Sequence, residues 1–456
     1  MRKSTGKSVT TGMLGAMLIL GCAMPVQAAD MQAVTESIGT IHTLPESAAM
    51  SELAGAAENP LFDNIIEFSE IETLVSSYND TVISNRYTYR NLQEMKADSD
   101  DGVSSPTGKR DGDDESDEAI KAIETGIKAY EAQIKELKKQ MSAAADEAVK
   151  AALQTQIVLL ENTKATLVMQ QQSMLVLQGL NSSMSEMTDS ISAMSSGSMT
   201  DEDLRGYYLQ FEEIEATLIK TAQGMFPTYY QLEYNLEQLK ANLTVAETAY
   251  QGALVQQSLG MCTANEVQEA SYNVATVKNN ITNLENQRVT LKQELCKLIG
   301  KTYNTDITLG EIPAVYEAYL NSIVFENDAD AAVDSNYKVC SKQNDMRKYD
   351  SDTSEETRAA GRFALSAARE DSRSALSEAY RNIQTQRTEL SMALEKYRNA
   401  EAQMLNTEGS YKLGLISRLE YEQQLAGYIT DRSNYEIAKT KLFDAVNTYK
   451  WHIRGL

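Results

Sequence analysis

Two heptad series that superimpose on one another constrain this 456-residue chain more than any other feature. Tyr229, Leu236, Leu243 and Tyr250 recur every seventh residue, and Leu232, Leu239 and Ala246 fill the 3–4 alternation between them. Leu376, Ile383, Leu390, Tyr397, Met404 and Tyr411 do the same further on, with Ala379, Ala393 and Ala400 alongside. A shift of 154 residues carries the first series onto the second, 229 to 383 and 250 to 404. A seven-residue apolar repeat gives a helix a narrow seam that must be buried against a partner helix, and alanines in it allow close approach. The chain therefore reads as all-α, with long antiparallel coiled-coil hairpins in two tandem repeats and little or no β-barrel. Only six prolines are present, so 107–226 and 314–456 run without one. A sandwich or barrel of many short strands needs more frequent turn residues.

Each series ends in a glycine turn and resumes as a second heptad helix. The first turn reads Leu259-Gly260-Met261-Cys262-Thr263 and continues to Glu266; the second reads Leu413-Gly414-Leu415-Ile416-Ser417 and continues to Glu420, again 154 residues on. Glycine supplies the left-handed backbone that stops a helix, and Thr263 or Ser417 can cap the next. Val267, Val274, Ile281, Leu284, Leu291 and Leu295 follow the first turn, and Tyr421, Tyr428, Tyr435, Leu442 and Tyr449 follow the second. Upstream, Ile66-Glu67-Phe68, Asn79 and Arg90 match Ile323-Val324-Phe325, Asn336 and Arg347 at a shift of 257. The change of shift puts 103 extra residues into the first half, between about Arg90 and Tyr229. Residues 98–118 read as a solvated acidic loop. Ile120, Ile123, Ile127, Tyr130, Ile134, Leu137 and Met141 then restart a 3–4 pattern, so 119–195 are expected to be additional coiled-coil helices, with their fold-back left open. The expected spans are a signal peptide over 1–28, an N-terminal linker over 29–60, a first helical repeat over 61–312 with its insertion at about 98–200, and a second over 313–456.

Charge and residue types narrow the function. Asp and Glu total 65 against 42 Lys and Arg, a formal net charge of −23, which excludes nucleic-acid binding because a phosphate backbone wants a basic surface. Two histidines, His42 and His452, leave little for zinc chemistry or His-based catalysis, and no nucleophile–base pair is visible. The chain is read as a non-enzyme with no cofactor and no metal. Arg2, Lys3 and Lys7, the apolar run from Met13 to Met24 and Val26-Gln27-Ala28 make a secretory signal peptide, so the chain is expected to be exported. Cys22, after Ile19-Leu20-Gly21, loosely fits a lipoprotein box, so a lipid anchor there stands as the alternative processing. Cleavage after Ala28 leaves Cys262, Cys296 and Cys340, read as buried thiols at helix positions rather than a disulfide framework. Gly300-Lys301-Thr302 has the end of a phosphate-binding loop, but Leu295 stands where its first glycine is needed. Met169, Met174, Met184, Met187, Met194 and Met199 suit adaptable packing more than a soft-metal site.

Tandem helical repeats with a glycine turn inside each long hairpin resemble the TolC family of outer membrane efflux proteins. Tyr411-Lys412-Leu413-Gly414-Leu415-Ile416-Ser417-Arg418-Leu419-Glu420 carries the likeness, with its first-half echo and the closing Leu298-Ile299-Gly300. The resemblance runs from about Leu61 to Trp451, apart from the insertion. It implies a homotrimer forming a hollow helical cylinder in the cell envelope, at the outer membrane. Leu259, Gly260, Thr263, Tyr411, Leu413, Gly414 and Ser417 would form tip turns that meet an adaptor protein and an inner-membrane pump. Glu266, Glu269, Glu420 and Gln423 would line the tunnel entrance, Gln423 having lost the family's carboxylate. On the residues alone, Glu266 and Glu420 are equally first-turn acids favoured by the helix dipole. One departure stands out. The family inserts spanning strands where this chain has a short charged turn, Lys348 to Glu356, and where it has the acidic loop with extra helices. A secreted, non-conducting coiled-coil protein of the envelope is the alternative reading.

Overall fold

The computed structural model describes residues 64–97, 113–143, 147–193 and 199–456. The signal-peptide and linker spans, Cys22 and most of the acidic loop lie outside the described residues. Within them the protein is all-α: eleven α-helices and one pair of two-residue strands, β1 (Ile65–Ile66) and β2 (Thr308–Leu309), paired in parallel. The helices are α1 (Ile71–Tyr78), α2 (Asp80–Ala97), α3 (Asp113–Ala143), α4 (Glu147–Ala193), α5 (Asp201–Ser258), α6 (Ala264–Leu298), α7 (Glu317–Ser322), α8 (Phe325–Ser335), α9 (Tyr337–Arg347), α10 (Glu355–Lys412) and α11 (Arg418–Ile453). At 58 residues each, α5 and α10 are about 87 Å long at 1.5 Å per residue. No helix among the described residues is long and apolar enough to cross a membrane.

Four long helices form one layer, and their pairings fix its order. Lys240 meets Glu285 at 3.2 Å and Lys278 meets Glu247 at 2.8 Å, so α5 and α6 run antiparallel. Ser433 donates to Glu237 at 3.2 Å and the Trp451 indole to Gln223 at 2.8 Å, so α5 and α11 are antiparallel as well. Tyr397 stacks on Tyr435 and Tyr380 lies against Tyr449, pairing α10 with α11. The order is therefore α6–α5–α11–α10, two hairpins side by side with their turns at the same end. The heptad positions fill the seams: Leu232, Leu236 and Leu239 are buried in the first, Leu376, Ile383 and Leu442 in the second.

At the opposite end the two halves close in the same way. Asn79 caps α2 by accepting from the Val82 N–H and donates its amide to the Leu298 carbonyl at 2.9 Å. Asn336 caps α9 by accepting from the Val339 N–H and donates to the Gly455 carbonyl at 3.2 Å. Gly300 and Gly455 both hold positive φ, and a Cβ on them would meet the Tyr78 and Ser335 carbonyl oxygens at 2.2 and 2.3 Å. The match at the closing turn is thus 155 residues, one more than at the tips, because α11 has 36 residues and α6 has 35.

The insertion folds back. Lys138 meets Glu161 and Lys164 meets Glu131, both at 2.7 Å, so α3 and α4 are antiparallel. Ile120, Ile123, Tyr130, Ile134, Ile157, Leu160, Leu167 and Met174 give this hairpin a seam of its own. Helix α5 starts at Asp201, just past the span read as the insertion, and passes through Pro227. Two details differ from the sequence reading. Helix α3 starts at Asp113, inside the span read as loop 98–118. Of the three thiols only Cys296 is buried; Cys340 is partly exposed, and so is Cys262, which lies in a turn and not on a helix.

Candidate functional site

The duplicated glycine turns are the candidate site. Each closes its helix in the same way. Gly260, at φ +72°, donates to the Gln257 carbonyl at 2.9 Å, and Met261 donates to Gln256 at 2.8 Å. Gly414, at φ +70°, donates to the Tyr411 carbonyl at 2.9 Å, and Leu415 donates to Ser410 at 2.9 Å. This paired 5→2 and 6→1 bonding satisfies carbonyls the helix end would otherwise leave open, and it needs a residue that tolerates positive φ. Nothing lies within 4 Å of where a Cβ would sit on either glycine, so only backbone conformation selects glycine there.

The return helices start on Thr263 and Ser417, whose hydroxyls accept from the Glu266 and Glu420 N–H groups at 3.3 and 3.1 Å. From there the two tips diverge. Glu266 reaches back and accepts from the Thr263 N–H at 2.7 Å and its hydroxyl at 2.9 Å, a reciprocal capping box. The Thr263 backbone N–H is the main cause that holds this carboxyl below its usual range. Glu420 is exposed, and its carboxylate has no ion pair or hydrogen-bond partner among the described residues. Glu269 is exposed and Gln423 half-buried. Helix α5 separates α6 from α11, so one chain keeps Glu266 and Glu269 on one side of it and Glu420 and Gln423 on the other.

The tips are apolar at their extremity. Leu259 is 67 % exposed, Met261 75 %, Leu413 77 % and Leu415 71 %. Tyr411 stacks on Tyr421 with ring centroids 4.4 Å apart and closes the base of the second tip. Just behind, Ala241 and Val245 of α5 pack with Met404, Leu425, Ala426 and Ile429 of α10 and α11, tying the hairpins together. Two features were missed in the sequence. Met261 and Leu415 are related by the same shift of 154 as their flanking glycines and could have been found by it. The Arg418–Glu422 pair, with Glu422 fully buried, has no first-half equivalent, since Ala264 and Gln268 stand there.

Far from the tips, a cavity of about 600 Å³ opens between α4, α5, α10 and α11, with Lys220, Asp444 and His452 among its lining. Burial pushes Asp444 up to about 6 against the pull of Lys220, and it pushes Lys220 and His452 down. No group of three or more His, Cys, Asp or Glu side chains able to hold a metal occurs among the described residues.

No protein-family model matches this sequence, and no curated protein does. Solved structures do show a likeness. A membrane protein from Pseudomonas aeruginosa is 9 % identical, over 85 % of this chain and 90 % of that one, at a TM-score of 0.44. The outer membrane protein VceC from Vibrio cholerae is 10 % identical, over 85 % of this chain and 96 % of that one, also at 0.44. The Campylobacter jejuni CmeC outer membrane channel is 11 % identical, over 56 % of this chain and 66 % of that one, at 0.34. At identities and TM-scores this low the likeness carries no functional weight, which has to come from the turns and faces of the chain itself.

Proposed function

We propose that the chain is a divergent TolC-like conduit for efflux or export. In this reading three copies stand side by side, six hairpins close a helical passage, and the glycine tips face an adaptor protein and an inner-membrane pump. The chain works in the cell envelope after export, as a non-enzyme without a cofactor.

One observation carries the reading: the tip is built twice. Two turns 154 residues apart share backbone closure, cap chemistry and an exposed apolar pair, at the same end of one layer. A coiled coil that merely spans a distance gains nothing from two exposed apolar ends held level; a ring of docking points does. Exposed apolar groups rimmed by polar ones mark contact surfaces. Glu420 adds a selective element. Three such carboxylates around one opening would focus a negative potential and favour cations over anions.

The test is transport. Cells that depend on this chain should retain a fluorescent cationic dye when it is absent. A Leu259→Asp, Leu413→Asp chain, produced at normal abundance, should retain it to the same degree. Unchanged export in both would leave the non-conducting coiled coil as the better account.

A further inference from the structure

The α6–α5–α11 layer has two faces of different chemistry. On one, Lys240–Glu285 and Lys278–Glu247 pair α5 with α6. On the other the side chains are uncharged amides. Gln231, Asn235, Gln238 and Asn242 follow a 4–3–4 spacing along α5, and Asn273, Asn280 and Gln287 recur every seventh residue along α6. Asn434 continues the stripe on α11, where Gln238 donates to it at 3.3 Å. Amides at this spacing make a water-facing surface, since an apolar seat would place leucine or alanine there.

The α3–α4 hairpin lies on this amide face. Gln133 and Asn280 exchange amide hydrogen bonds at 3.4 and 3.1 Å. Asn162 donates to Asn434 at 3.1 Å, and Asn235 donates to Thr166 at 3.4 Å. The seat is poorly matched. Eleven buried side-chain nitrogens and oxygens lack a protein partner among the described residues, and six belong to this seat: both amide atoms of Gln170, and one each of Gln231, Asn235, Gln238 and Gln287. Buried polar groups are ordinarily paired, and unpaired ones are costly, so this contact favours release to water. The hairpin's apolar residues mostly face each other instead. Leu159 joins the main core, and so does the far end of α4, through Leu177, Leu180, Met184 and Met187. That end anchors the hairpin, and the rest sits on amides apart from Leu159.

We infer that the α3–α4 hairpin is a displaceable cover on the amide face, hinged at the end of α4, and that in the conduit this face lines the passage and the hairpin plugs it. The second half of this statement rests on the conduit reading; the first does not.

Two measurements separate them, both with Cys262→Ser, Cys296→Ala and Cys340→Ser in the full chain. Spin labels at Lys135→Cys on α3 and Thr282→Cys on α6 should give a short and a long distance. Adding Gln231→Leu, Asn235→Leu and Gln238→Leu should cut the long population about fivefold by making the seat apolar. A single short distance, unmoved by the leucines, overturns the cover. Separately, a Gln133→Cys, Asn280→Cys pair should lower dye export about tenfold when oxidised and restore it on reduction. Export unaffected by the oxidised bond overturns the plug. Export absent in the reduced protein as well counts against the conduit reading, and the distances alone then decide for or against the cover.

Discussion

Among the described residues four glycines at positive φ, from about +70° to +109°, stop helices, yet they answer to different forces. At Gly260 and Gly414 the surroundings are open, so alanine should cost only the left-handed backbone, about 1 kcal/mol each. At Gly300 and Gly455 the Cβ would strike a carbonyl oxygen, so the closing turn must move and the loss should be several times larger. Denaturant titration of the four alanine variants should sort them into these pairs; equal losses would contradict the assignment. The two first-turn acids divide similarly. Glu266→Ala should lower the denaturation midpoint by removing the acceptor of its capping box. Glu420→Gln should leave stability unchanged and lower cation-over-anion selectivity in conductance. Asp444 carries the pH dependence. Its carboxyl is raised in the folded chain to about 6, so its contribution is full below the unfolded value near 3.8 and is lost as pH rises through about 6. Asp444→Asn should therefore raise the thermal midpoint at about pH 7.5, by at most about 3 kcal/mol of stability, and leave it unchanged at about pH 3.

At the scale of elements, the heptads and glycine turns were legible because they are local: a seam period and a left-handed residue each leave a mark in consecutive residues. Upstream, Asn79 and Asn336 were legible only as a repeat. Their work, capping one helix while holding the closing turn of another 219 and 119 residues away, needs the fold. Asn79→Ala and Asn336→Ala should each cost about 1–2 kcal/mol in chemical denaturation. If one were neutral, the two halves would not close by the same device. The α3–α4 fold-back was not legible because its bend carries no glycine or proline signal comparable to the tips. Helix α5 continues through Pro227. A proline usually ends a helix, but here the flanking turns are held by burial of Met225, Phe226 and Leu232 and by the Trp451–Gln223 bond. Cys262 was counted among helix thiols although it stands inside a glycine turn that was itself legible.

At the scale of the whole molecule, the single chain has features of an unfinished wall. It is one layer of four long helices with both glycine turns at one end, and its α6–α5–α11 part carries charges on one face and amides on the other. Its Glu266 and Glu420 never meet within one copy. Rotational repetition would bring the end of one layer, α6, beside the other end, α10, of the next and complete a ring of alternating tips. The most direct test is the mass and shape of residues 29–456 in solution, by light scattering and particle imaging at low resolution. A conduit of three copies should appear as a three-fold particle with a hollow axis and a helical shaft of about 87 Å. A monomeric or dimeric solid rod would contradict it.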